Sequence, residues 1–350
     1  MKGYKHGTGT FIGKGGVEIY FREWMSERPK GIVVLAHGLG EHSGRYANLI
    51  DRMQGSGVSF YALDHRGHGR SGGKRGHIAS FMDYIQDLNV FMTQIKDEYG
   101  SLPVVLLGHS LGGVIAMKYA LTYPAGPKAL VLSSAGLVLA VKVPKWKKKM
   151  GLFFSRHIPA LSMRNELDAN DLSHDRQTVD DYVKDPLVHD QVTARWYTEF
   201  IAAGEECLRR ASELRMPLLV IHGKADKMVD YRGSERVYAS VSTPARDKAL
   251  FVFSGLYHET MNETPPERTK VLDVLAGWIT MRLGAKSAGA KKTAKTTKAV
   301  KKRKTAKKSV LKKAKKSLAK KTNKPAGRPA KKKAPTRKAA AIKMKSAKKR

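Results

Sequence analysis

The chain has 350 residues, with 66 Lys and Arg against 30 Asp and Glu, one cysteine and a formal net charge of +36. That length permits a large body with a sizeable core, the lone Cys207 excludes an internal disulfide framework, and no run approaches the roughly 18 apolar residues of a membrane span. The charge is concentrated: residues 285–350 hold 29 Lys and Arg and no Asp or Glu, which leaves 37 basic against 30 acidic residues in 1–284.

The first residues, Met1-Lys2-Gly3-Tyr4-Lys5-His6, lack the apolar segment of a secretory signal, so the expected location is the cytoplasm. Residues 8–12 and 17–24 are expected to pair as strands around Gly13-Lys14-Gly15-Gly16. Residues 31–36 read as a continuous apolar strand, which suits a parallel sheet covered on both faces. It runs into His37-Gly38-Leu39-Gly40-Glu41-His42-Ser43-Gly44-Arg45-Tyr46. A glycine-rich turn of this kind can aim a backbone donor at an oxyanion, and we assign that donor to the Leu39 N–H. Taken alone, His37-Gly38 could equally make a plain tight turn.

A helix is expected over 45–53 and a strand over 58–63, ending in Asp64-His65-Arg66-Gly67-His68-Gly69-Arg70-Ser71. With no Cys and a single carboxylate, this loop is a poor metal site; it is expected to pack beside the nucleophile with Asp64 and Arg66 paired locally. Apolar residues at helical spacing then predict a helix over 80–99 with Ser80 as its N-cap.

The stretch that organises the chain follows. An apolar run, Val104-Val105-Leu106-Leu107, ends in Gly108-His109-Ser110-Leu111-Gly112-Gly113 and continues as a helical pattern over 114–121. A serine between a strand and a helix sits on a sharp, strained turn, and the glycines let the backbone pass itself closely. The Leu111 N–H, at the start of the helix, is a second donor suited to an oxyanion.

Residues 129–133 give another strand, so strands and helices alternate as in an α/β fold with a mainly parallel sheet. From about 136 to 214 the alternation stops. Helical patterns at 178–183 and 192–211, without a clear sheet strand, predict a cap over the site. Within it, Trp146, Leu152, Phe153 and Phe154 lie beside four lysines, forming either an apolar mouth toward an anionic or micellar surface or a core face flanked by solvated charge. The sheet resumes at 216–223 and is followed by Asp226, with Asp230 as a competing acid. A last strand over 248–254 delivers His258 into a loop at its carboxyl end, where open α/β sheets place ligands. His222 competes with His258 and reads as structural. A helix over 266–283 closes the body.

Ser110, Asp226 and His258 thus occur in the chain order of the α/β-hydrolase triad, each after an expected strand. The motifs around His37-Gly38-Leu39-Gly40-Glu41-His42, Asp64-His65-Arg66-Gly67-His68-Gly69, Gly108-His109-Ser110-Leu111-Gly112-Gly113 and Gly223-Lys224-Ala225-Asp226, with Asp185-Pro186-Leu187, resemble the monoacylglycerol lipase and lysophospholipase group of α/β-hydrolases. The similarity covers roughly residues 8–282. It implies an α/β-hydrolase domain over 1–284 that cleaves esters of monoacyl lipids, with Ser110 as nucleophile, His258 as base, Asp226 orienting it, and the Leu39 and Leu111 N–H groups as oxyanion donors. No metal or organic cofactor is called for. Glu41 and Arg45 either contact a polar head group or pair with each other. Related members act on peptides or other acyl groups, and a non-catalytic body in a nucleic-acid-binding protein is the alternative from another class.

Residues 285–350, built from Lys, Ala, Thr, Ser and Pro, have too little apolar surface to bury and are expected to be disordered alone. Their Ala-Lys-Lys and Pro-Ala-Lys-Lys-Lys repeats look like the tails of linker histones. A tail of this charge binds polyanions by counterion release without sequence preference. Nucleic acid is the first expected partner, followed by polyphosphate or an anionic membrane.

Overall fold

A computed structural model describes residues 3–140 and 144–285; the expectations for the basic tail therefore lie outside the described residues. In chain order the strands are β1 (Lys5–Ile12), β2 (Glu18–Met25), β3 (Gly31–Ala36), β4 (Val58–Leu63), β5 (Val104–His109), β6 (Ala129–Ser133), β7 (Ser162–Arg164), β8 (Gln191–Thr193), β9 (Leu218–Gly223) and β10 (Lys248–Phe253). The helices are α1 (Ala47–Arg52), α2 (Met82–Tyr99), α3 (Leu111–Thr122), α4 (Lys145–His157), α5 (Arg176–Lys184), α6 (Ala194–Arg210), α7 (Arg232–Ser240) and α8 (Glu267–Leu283).

The main sheet runs β1-β2-β4-β3-β5-β6-β9-β10. β1 and β2 form the expected hairpin, and β2 pairs antiparallel with β4; every later pairing is parallel. This is the α/β architecture of the sequence reading. The parallel strands explain why the candidate residues meet. β3, β5, β9 and β10 all present their carboxyl ends at one edge of the sheet, and the register places Ala36 beside Gly108.

Period-2 alternation sorts the strand side chains between two apolar layers. Ile32, Val34, Leu106, Leu218 and Val220 pack with α2, α3 and α6, while Val33, Leu35, Val105, Leu107, Leu219 and Ile221 pack with α1 and α8. Covering both faces removes water from the whole length of these strands, which is why they carry unbroken apolar runs. α3 is buried on all sides from Leu111 to Leu121. Its one charged side chain, Lys118, pairs with Glu206 of α6 at 2.7 Å.

Three local expectations are corrected. The helix foreseen over 45–53 is a 3-10 turn, Ser43–Tyr46, followed by α1. α2 is regular from Met82 rather than from Ser80, and Ser80 caps it as expected: its Oγ accepts the Met82 N–H at 3.3 Å, while the Asp83 carboxylate accepts the Ala79 and Ser80 N–H groups. The cap holds α4, α5 and α6, and also a two-stranded ribbon, β7 with β8, separate from the main sheet. Strands three residues long leave no alternation to read.

Candidate active site

Ser110 closes β5 with φ 53° and ψ −118°, a left-handed φ in a residue that has a Cβ. Such a conformation costs on the order of 1–3 kcal/mol and persists only where the surroundings dictate it. Here the Ser110 N–H donates to Ser133 O at 3.0 Å, and the Ser110 carbonyl accepts the Gly113 and Gly136 N–H groups, each at 3.0 Å. Two glycines make the turn possible. A Cβ on Gly108 would strike the Gly112 carbonyl, and one on Gly112 would strike the Ala36 carbonyl.

The β3 loop lies against this elbow. A Cβ placed on Gly38 would lie 3.3 Å from Ser110 Cβ. The Leu39 and Leu111 N–H groups donate to no protein acceptor among the described residues; for Leu111 this follows from its place at the start of α3, where intrahelical partners are missing. Leu39, Ser110 and His258 line one cavity together with Glu41, Arg45 and His109.

His258 is held from behind. Its Nδ1–H donates to Asp226 Oδ2 at 2.6 Å, and Asp226 Oδ1 accepts the Met228 and Val229 N–H groups at 2.8 and 2.9 Å. Burial opposes charge on both groups. Yet the His258 and His222 rings beside Asp226 hold its carboxyl well below the usual carboxylate range, and Asp226 in turn holds His258 above the usual histidine value. An imidazole fixed at Nδ1 in this way leaves Nε2 to take and return a proton.

The competing residues separate cleanly. Asp230 accepts the Arg232 N–H at 2.9 Å and faces the Arg232 guanidinium at 3.4 Å, whereas the carboxylate bonded to His258 is that of Asp226. His222 lies inside β9, fully buried, between Ser234 and Asp226. Glu41 and Arg45 pair with each other at 2.9 Å, and both line the cavity. Glu41 Oε1 also accepts the Gly38 N–H at 2.6 Å and the Tyr46 hydroxyl at 2.7 Å, so it braces the Gly38–Leu39 turn. The expected Asp64–Arg66 pair does not form. Asp64 accepts the Ser43 and Arg70 N–H groups, each at 2.8 Å, and Arg66 pairs with Asp87 at 2.6 Å.

The histidines of the two loops pack together, with His37 and His65 rings 4.3 Å apart and His68 4.8 Å from His189 of the cap. Among the described residues, no group of three or more His, Cys, Asp or Glu side chains is arranged to hold a metal. Cys207 is buried on α6, and burial pushes its thiol up to about 12, so it is inert. No helix among the described residues is long and apolar enough to cross a membrane.

Glu259 was not singled out in the sequence. It forms a two-pronged pair with Arg45, one contact at 2.5 Å and one at 3.0 Å, which ties the loop carrying His258 to the loop carrying Leu39. The two residues are 214 positions apart, and no spacing rule connects them.

Residues 27–265 match the profile of the family described as "Serine aminopeptidase, S33". The chain is 37% identical over 276 residues to the monoacylglycerol lipase of Mycolicibacterium smegmatis, covering 78% of this chain and 97% of that one. It belongs to the monoacylglycerol lipase group of α/β-hydrolases. Human monoglyceride lipase is 31% identical over 271 residues, 76% of this chain and 88% of its own. The solved structure of the Paleococcus ferrophilus monoacylglycerol lipase superposes with a TM-score of 0.69 at 32% identity, covering 75% of this chain and 99% of that one. The chain of this α/β-hydrolase is accordingly that of a carboxylic ester hydrolase.

Proposed function

We propose that this hydrolase releases the acyl chain of monoacyl lipids, monoacylglycerols first among them, through Ser110, His258 and Asp226. The observation that carries the reading is the convergence of a strained Ser110 and a carboxylate-held His258 on one cavity under the cap. His258 Nε2 takes the Ser110 proton as Oγ attacks the ester carbonyl; the Leu39 and Leu111 N–H groups receive the oxyanion. His258 then returns the proton to the departing alcohol, leaving an acyl-enzyme. Water repeats the sequence, losing its proton to His258, and the acid leaves as Ser110 is reprotonated.

The names of the relatives support a monoacyl lipid, and so does the cap. Leu152 and Phe153 of α4 are 62% and 57% exposed, whereas Phe154 is half-buried, so the aromatic cluster of the sequence faces solvent more than core. Exposed apolar residues on a lysine-bearing helix suit a peripheral lipid surface. The cavity measures about 40 Å³, room for a water or two. Leu167, Leu172 and Tyr182 of the cap give that cavity an apolar wall. For the basic segment, 285–350, we propose a separate role in holding the enzyme at nucleic acid or another polyanion, on its 29 cations alone.

Hydrolysis of a long-chain monoacylglycerol, a lysophospholipid, a short-chain aryl ester and an aminoacyl anilide by the purified chain tests the substrate class. Monoacylglycerol is expected to give the highest kcat/KM; preference for the anilide would move the reading to a peptidase. Duplex DNA titrated against the same protein should bind with an affinity that falls steeply as salt rises, and absence of binding at low salt would remove that part of the reading.

The pH profile follows from His258. Only the neutral ring accepts a proton from Ser110, and Asp226 holds its titration above the usual 6.5. The acid limb of kcat/KM is therefore expected above that value, with activity rising toward alkaline pH. An acid limb at 5 would contradict the Asp226–His258 pairing.

A further inference from the structure

Asp226 serves two imidazoles, and the mechanism above uses one. Its Oδ2 lies 2.6 Å from His258 Nδ1 and 3.1 Å from His222 Nε2. The other side of the His222 ring is occupied as well, with Nδ1 2.7 Å from Ser234 Oγ in the first turn of α7. His222 and Ser234 are both fully buried. An ionised carboxylate only accepts, so His222 Nε2 carries a proton. In the neutral ring Nδ1 then accepts, and the Ser234 hydroxyl donates to it. A continuous chain of hydrogen bonds thus runs from Ser234 through His222 and Asp226 to His258.

We propose that His222 is a positioning residue, which locks the Asp226 carboxylate to β9 and draws on the oxygen that His258 uses, so limiting how tightly the carboxylate holds the His258 proton. The proposal rests on the triad reading given above. Two donors on one oxygen compete for its electron density, so each bond is weaker than it would be alone. A buried carboxylate serving His258 alone would stabilise the imidazolium more strongly and keep the base protonated over more of the neutral range. His222 also fixes orientation. With Oδ1 tied to the Met228 and Val229 N–H groups and Oδ2 tied to β9, the carboxylate plane cannot turn when His258 shifts to pass its proton.

Other charged or titratable groups face His258: the His109 ring at 4.9 Å, Glu259 beside it in sequence, and Glu41 across the cavity. The hydrogen bonds of His222 go to Asp226 and Ser234 instead. A change at 222 therefore reaches His258 through Asp226. A purely structural histidine packed inside β9 would leave the His258 titration where it is.

The test is an NMR titration of the His258 ring in Ser110→Ala protein, where the readout needs no turnover, combined with His222→Leu, His222→Gln or Ser234→Ala. His222→Leu is expected to raise the His258 pKa by about half a unit to one unit. His222→Gln, whose amide N–H can stand in for Nε2–H, is expected to bring it back to within about 0.2 units, and Ser234→Ala to move it in the same direction as Leu but less. In the Ser110 enzyme the acid limb of kcat/KM moves with it. A folded His222→Leu protein with an unshifted His258, or a Gln variant indistinguishable from Leu, overturns the proposal. Should His222→Leu fail to fold, an unshifted His258 in Ser234→Ala overturns it equally. Retained ester hydrolysis by Ser110→Ala would instead remove the nucleophile assignment and leave the titration result to stand by itself.

Discussion

Replacing Ser110 with alanine is expected to lower kcat for ester hydrolysis by about 10⁴- to 10⁶-fold, the range seen when a serine nucleophile is removed from a triad. The size of the loss follows from the absence of a substitute. Cys207 is buried and inert on α6, and no other hydroxyl is placed on the elbow between Gly108 and Gly112. Stability should hardly change. The variant keeps the Cβ and the backbone hydrogen bonds that impose the positive φ, and it loses only the hydroxyl of a residue that lines the cavity, so a change within about 1 kcal/mol is expected. Initial rates with an activated ester, together with covalent labelling by a fluorophosphonate and a thermal melt, check all of this. Alanine protein that keeps a hundredth of the activity, or that is still labelled, would rule Ser110 out as the nucleophile.

Replacing Arg45 with leucine should be the most damaging single change to stability near the site. The guanidinium stands between Glu41 and Glu259, each only 4% exposed, and stacks 4.7 Å above the Tyr182 ring of the cap. Removing it leaves two buried carboxylates without their cation, which costs about 3–5 kcal/mol. For a body of this size that is a fall in Tm of roughly 6–20 °C. The pH dependence gives the prediction its sign. Burial alone would raise the Glu41 carboxyl; Arg45, with the nearby His109, His37 and Tyr46, lowers it to about 2. In the native protein Glu41 therefore contributes stability that is present above its ordinary value of 4.5 and is lost as pH falls toward 2. Without Arg45 burial prevails, the folded-state value lies above 4.5, and charging the group opposes folding. The deficit of the variant is thus largest at pH 7.5 and shrinks as pH falls toward 5. Melting curves at several pH values decide the matter. A Tm within 2 °C of the native protein, or a deficit that grows on acidification, would show that the Glu41–Arg45–Glu259 cluster is not what holds these loops together.

The same cluster also bears on catalysis. Glu41 accepts the Gly38 N–H, and Gly38 precedes Leu39; Glu259 follows His258 directly. Arg45 therefore joins the loop proposed to carry an oxyanion donor to the loop carrying the proposed base. A single salt-bridge network sets the relative position of two groups that must act on one carbonyl.

Much of the framework could be read from residues close together in the chain. A strand, a Gly-His-Ser-Leu-Gly turn and a helix span about twenty residues, and their sterics are local: the glycine carbonyl clashes that shape the elbow involve β5, α3 and the end of β3. Unbroken apolar strands announced a sheet covered on both faces, and a parallel sheet brings strand ends to one edge whatever lies between them. Ser110, Asp226 and His258 could for that reason be grouped without a structure. The cap resisted the same approach. β7 and β8 are too short to alternate, and the side on which the α4 aromatics lie depends on what covers that helix.

The sequence by itself determined the sheet, the elbow and the order of Ser110, Asp226 and His258, because each rests on periodicity or on steric limits acting over a few residues. Tertiary structure alone decided which buried charges pair. Asp64 turns from Arg66 to backbone N–H groups, Arg66 finds Asp87, Arg45 bridges Glu41 and Glu259, and His222 shares the Asp226 oxygen with His258. Ion pairs in a low-dielectric interior form wherever packed loops bring the charges within reach, and that proximity is set by the fold as a whole rather than by spacing along the chain.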